Sequence, residues 1–243
     1  MDNHELGLSH KDIEHRHRNV GGGGARAAVF GVSDGLVTNI SLVLGVAAAH
    51  TATGIIQIAG LAGLLGGAFS MAAGEYVSMK AQRELLEREL EIERTEIEHY
   101  PEGERRELEL IYLKRGIDSE LAQKLALNVM DDPVRALETH AREELGIDPN
   151  DLGSPIQAAL ASFVTFGIGA LIPLLPFFFA SGSVSVAIAV VATALAALVV
   201  GGVISIFTGR SWWRSAIRQI FICAIAGGAT FVIGSIFGAT GAG

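Results

Sequence analysis

The stretches PIQAALASFVTFGIGALIPLLPFFFA, residues 155–180, and VSVAIAVVATALAALVVGGVISIFT, residues 184–208, contain no Asp, Glu, Lys or Arg. A helix rising about 1.5 Å per residue needs about 20 apolar residues to cross the hydrocarbon of a bilayer, and both runs exceed that. Working outward, Trp212–Phe237 on one side and Ala27–Ala49 and Gly54–Met79 on the other have the same character. The sequence therefore predicts an all-α polytopic membrane protein with five transmembrane helices. Composition agrees: 50% of the 243 residues are hydrophobic and mean hydropathy is +0.42, which excludes an ordinary soluble domain. Ala47-Ala48-Ala49 at the end of the first run looks like a signal-peptide cleavage site, but the run is too long for a signal core and contains Asp34. Cys223 is the only cysteine, which excludes a disulfide framework and a cysteine-based metal site.

Apart from two acids, charge is confined to residues 1–26, 80–151 and 210–218. All 18 Lys and Arg lie in these three segments, so the positive-inside rule places them in the cytoplasm. Five spans then put the N-terminus inside and the C-terminus outside. Residues 1–26 form a tail with His4, His10, His15 and His17 before the Gly21–Gly24 run; it reads as a metal-gathering arm or as a lightly basic leader. Residues 27–79 hold helices 1 and 2, residues 80–154 a cytoplasmic helical insert, and residues 155–243 helices 3 to 5. Trp212 and Trp213, beside Arg210 and Arg214, suit an interfacial anchor, and Gly31/Gly35 and Gly63/Gly67 suit close helix packing.

The two acids inside spans are Asp34 and Glu75. A carboxylate there costs several kcal/mol, roughly 2.5 or more, unless it faces partners or water. Asp34, Thr38 and Ser41 fall at i, i+4 and i+7, giving an oxygen-bearing stripe, while Met71, Glu75 and Met79 repeat every four residues. The bland alternative has both acids reaching the headgroups from the helix ends, with the methionines filling core gaps. Two acids near the same side on adjacent helices are read instead as a cation site, and a thioether beside them favours a divalent transition metal. A carboxylate in low dielectric holds a proton when empty and yields it to a cation, which is the chemistry an antiporter needs.

The insert carries most of the 26 acids. Its pattern predicts a helix continuing out of span 2 to about Glu98, then shorter helices after breaks at Pro101-Glu102-Gly103, Gly116 and Pro133. Leu86, Leu90 and Ile97, then Leu108, Ile111 and Tyr112, then Leu121, Leu125 and Val129 give apolar stripes by which these helices would pack. Glu93 and Glu96 before the Pro-Glu-Gly turn, and Glu104 and Glu107 after it, are pairs at three-residue spacing that can converge; His140 and Glu144, at i and i+4, can complete the set. The alternative is a solvated helix face held by pairs such as Lys80/Glu84 and Glu84/Arg88.

These residues also carry a resemblance. Val29-Phe30-Gly31-Val32-Ser33-Asp34-Gly35-Leu36-Val37-Thr38-Asn39 and Ser70-Met71-Ala72-Ala73-Gly74-Glu75-Tyr76, supported by residues 159–176 and 209–218, resemble the vacuolar iron transporter family from about His15 onward. The resemblance implies a prokaryotic-type homodimer of five-helix subunits that exports Fe2+ and similar divalent ions, with Mn2+, Co2+ and Zn2+ as candidates, in exchange for protons. It implies a pathway through Asp34 and Met71 with Glu75 nearby, and cytosolic metal-binding glutamates at Glu93, Glu96, Glu104, Glu107 and Glu144. Where plant members carry a methionine, this chain has His140. No tightly bound cofactor and no nucleic-acid partner are expected; the partners are the bilayer, metal ions, protons and a second subunit. A short chain with no evident targeting segment suggests the plasma membrane. The competing readings are a membrane-anchored ferroxidase and a metal-sensing scaffold. Ferritin-like oxidases carry a Glu-x-x-His pair on each of two helices, and the insert has a single such spacing, Glu96/His99.

Overall fold

The computed structural model describes residues 23–240, and these are helical almost throughout. The tail histidines lie outside the described residues. Among the described residues, five helices are long and apolar enough to cross a membrane. In chain order, α1 is Gly23–Ala48 and α2 is Thr53–His99. Three short helices follow: α3 (Pro101–Lys114), α4 (Ser119–Met130) and α5 (Pro133–Glu143). Then α6 (Pro155–Leu174) runs into a 3-10 turn at Leu175–Phe178, followed by α7 (Gly182–Thr208) and α8 (Trp212–Thr240).

Helix α1 is the hub, packing on α6, α8, α2 and α7. Its contact with α6 is as close as backbones allow: a Cβ on Gly35 would overlap the Phe166 carbonyl, and one on Gly169 the Val32 carbonyl. Lipid tails are as apolar as leucine, so such van der Waals contact, together with interhelical hydrogen bonds, holds a bundle together. Asn39, fully buried, donates Nδ2 to the Ala170 carbonyl at 2.6 Å; Gln57 Nε2 donates to the Phe177 carbonyl at 2.7 Å; Thr230 Oγ1 donates to the Ser41 carbonyl at 2.7 Å. Each contributes about 0.6 kcal/mol on average. Gly63 and Gly67 also face neighbours, the Leu42 side chain and the Phe166 ring.

No proline interrupts the chain between Thr53 and Pro101, so α2 leaves the apolar bundle and continues through the charged insert as one 47-residue helix, about 70 Å long. The expected breaks fall where the residues demand them. Pro101 and Pro133 sit in the first turns of α3 and α5, and Gly116, at φ 85°, ends the α3 segment. Asp118 caps α4 by accepting from the Glu120 amide, and Asp132 caps α5 by accepting from the Val134 amide at 2.9 Å. One stripe departs from expectation. Helix α4 packs through Ala122 and Ala126, both fully buried, while Leu121 and Leu125 are exposed. The alanines bring the helix axes closer than a leucine seam would allow, and that close seat fixes the rotation of α4.

Candidate metal centre and intramembrane cleft

Three helices of the insert converge on one point. Glu93 lies on the outer half of α2, Glu104 in the first turn of α3, and His140 and Glu144 at the end of α5; one ligand atom from each lies within 4.8 Å of all the others. His140 is fully buried, with Nδ1 3.1 Å from Glu93 Oε1, 3.6 Å from Glu104 Oε2 and 3.8 Å from Glu144 Oε2. Yet neither ring nitrogen, nor Glu93 Oε1, has an aligned hydrogen bond. Buried polar atoms are ordinarily hydrogen-bonded, so a set that lies this close yet unaligned is a candidate for holding a ligand.

The electrostatics agree. Burial holds the Glu104 carboxyl above its ordinary range, and the charge of Glu93 adds to this. Glu144 is raised by burial and then by Glu107 and Glu93. For His140, burial alone pulls downward, but contact with Glu93 and the charges of Glu104 and Glu144 overturn it and the imidazole is raised. These groups therefore hold protons more tightly than free carboxyls and imidazole do, and a cation bound among them would have to displace those protons. Glu96 and Glu107 do not join the group; both are exposed, though their charges raise Glu104. An Arg115–Glu143 ion pair ties the end of α3 to α5 beside the cluster.

The second place is a cleft of about 430 Å³ between α1, α2 and α8, lined by Asp34, Met71 and Glu75 together with Arg26, Ser33 and Ile222. Thr38 Oγ1 donates to Asp34 Oδ1 at 3.4 Å, and Gln219, buried on α8, donates Nε2 to Ser33 Oγ at 2.7 Å. Met79 is elsewhere, buried against Gly153. The two carboxylates do not face each other unaided, because Arg26 Nη2 lies 3.3 Å from Glu75 Oε1. Arg26, Ser33 and Gln219 were not anticipated. A signal for Arg26 exists, since Arg26, Phe30, Asp34 and Thr38 recur every four residues on one face of α1; none exists for Gln219, brought in by tertiary packing. Along that face Phe30, Asp34 and Thr38 are exposed, whereas Leu36, Asn39, Ile40 and Val43 are buried.

Fold and sites together define a class: a five-span helical membrane protein with an acid-lined cleft in the bundle and an acidic–imidazole cluster outside it. Within that class the assignment is specific. The profile of the VIT family matches residues 25–235, and the chain belongs to this family. It is similar to a vacuolar iron transporter of Acanthamoeba castellanii (42% identity over 153 residues, 63% of this chain and 55% of that protein). It is similar also to vacuolar iron transporter 1 of Arabidopsis thaliana (32% identity, 87% of this chain and 85% of that protein) and to a vacuolar iron transporter of Centaurea cyanus (31%, 93% and 94%). The aligned part of this chain spans about half the length of the Acanthamoeba protein. These names overturn the plasma-membrane expectation, because they place the relatives in an intracellular membrane. Basic residues orient a chain relative to the cytoplasm; they do not say which membrane holds it.

Proposed function

We propose that this protein moves Fe2+ and similar divalent metals out of the cytosol in exchange for protons. Metal is captured by the Glu93–Glu104–His140–Glu144 cluster and passed to the cleft of Asp34, Met71 and Glu75. The observation that carries this reading is the convergence of three carboxylates and a buried imidazole within 4.8 Å, with no aligned hydrogen bond on either ring nitrogen. Capture site and cleft share one helix: Glu93 lies eighteen residues beyond Glu75 on α2, about 27 Å along its axis. Relatives named as iron transporters support iron as the cargo.

In this reading the insert and both other basic segments face the cytosol, and the far side of the bundle is the compartment that receives the metal. Asp34 alternates between a protonated and a metal-bound state, and Met71 favours a transition metal over Mg2+ or Ca2+. The outward face carrying Phe30, Asp34 and Thr38 cannot rest against hydrocarbon, so a second copy of the chain covers it and the working unit is a homodimer. The test is anaerobic metal flux in proteoliposomes under an imposed pH gradient. The parent protein is expected to accumulate Fe2+ against the proton gradient, and Asp34→Asn to abolish proton-coupled flux while eluting as a folded protein. Fe2+ turnover in detergent with oxygen, and no flux, would make it an oxidase instead. Asp34→Asn transporting at the parental rate with the same pH dependence would make that carboxylate structural.

A further inference from the structure

Arg26 is the only basic residue lining the cleft among the described residues. It stands two helical turns before Asp34, and its guanidinium reaches across to α2 and Glu75. The arginine side chain is 63% exposed and that of Glu75 17%, so the pair sits at the mouth of the cleft, where such contacts are weak enough to open. A guanidinium is a fixed positive charge, so it vacates Glu75 only by swinging away.

Charge then sorts the ions that enter. Once Asp34 has released its proton, with Glu75 ionised and Arg26 in place, the cleft carries one net negative charge. A monovalent cation that displaces Arg26 leaves that sum unchanged, and it competes with a tethered group whose effective concentration is on the order of millimolar. A divalent cation between the two carboxylates brings the sum to zero and frees the guanidinium to solvent. From this geometry we propose that Arg26 is a tethered counter-cation that occupies Glu75 between metal loads, making the cleft a threshold that divalent ions cross and Na+ and K+ do not. The proposal rests on the reading of Asp34, Met71 and Glu75 as the transported ion's site. It assigns Arg26 a role in selectivity.

The experiment uses the full chain in proteoliposomes, with Mn2+ as the probe and uptake measured in choline, Na+ and K+ buffers of equal ionic strength. The parent protein should show one half-saturating Mn2+ concentration in all three. Arg26→Gln should lower that concentration in choline by about two- to fivefold, the range set by part-exposed ion pairs. Na+ and K+ should now raise it. Arg26→Lys, which keeps the charge, should restore indifference to Na+. Arg26→Met serves where Arg26→Gln does not assemble. In a Glu75→Gln background, removing Arg26 should change nothing further. A neutral Arg26 variant with parental half-saturation in every buffer overturns the proposal, provided Glu75→Gln itself impairs uptake. Glu75→Gln matching the parent, or a parent protein that moves no Mn2+, overturns the cation-site reading as well.

Discussion

Glu93 and Glu96 are one helical turn apart on the same helix, and the structure separates them: Glu93 is buried against His140, while Glu96 is exposed. Their effects should separate too. Calorimetry on the purified protein should show Glu93→Gln or Glu104→Gln weakening Mn2+ binding by at least about tenfold, as losses within a metal's coordination environment do, and Glu96→Gln or Glu107→Gln by much less. Equal losses at all four would mean a diffuse acidic surface. Protonation sets a second expectation. Glu104, Glu144 and His140 are all raised, so these three groups together bind more protons in the folded metal-free protein than in the unfolded chain. Their contribution to stability is fullest below the ordinary carboxylate value of 4.5, and it falls as pH rises through the raised glutamate values and then that of His140, above 6.5. Metal needs the deprotonated ligands, so its effect has the opposite sign. The rise in melting temperature on adding Mn2+ should grow as pH climbs through the raised values, above 4.5 for the glutamates and above 6.5 for His140; a constant rise would show that these groups release no protons to the metal. The candidates for this cluster were legible from three-residue spacing across a proline turn and from the i, i+4 pair His140/Glu144. Which of them turn inward was not, because that depends on how α5, some forty residues later, lies against α2.

At the scale of elements, uninterrupted apolar runs fixed the spans, and the Pro and Gly breaks fixed the insert, because both are local properties. The rotation of α4 was not legible. Leucine is the stronger hydrophobic signal, but the closer fit through Ala122 and Ala126 determined the seat. Packing limits give a direct check on the α1–α6 contact. Gly35→Ala should destabilise the protein by about 1–3 kcal/mol, because the new methyl meets backbone that cannot yield. Gly66→Ala, pointing into open space, should be neutral or better in the same detergent melts. The continuity of α2 is testable at Leu85, which is exposed and so contributes little packing. Leu85→Pro should cost about 3 kcal/mol of helix and kink it between cluster and cleft. Calorimetric binding at the cluster should survive while flux falls; parental flux would mean that the two sites need no fixed spacing.

For the molecule as a whole, basic residues bear on orientation and carry no address; the plasma-membrane expectation rested instead on the lack of an evident targeting segment, which carries no address either. Orientation can be read chemically: single cysteines at Ser119 and Ser181, both exposed, in a Cys223-free background should label from opposite sides of sealed vesicles. Labelling from one side would refute it. The exposed stripe of Phe30, Asp34 and Thr38 on α1 has a consequence for dilution. In a bilayer the lipid is the solvent, and chains paired over this polar face, as proposed, would part when lipid is added, as any dimer does below its dissociation constant. Flux per protein should therefore decline as the protein-to-lipid ratio is lowered, and a cell making little of this protein would lose transport faster than it loses protein.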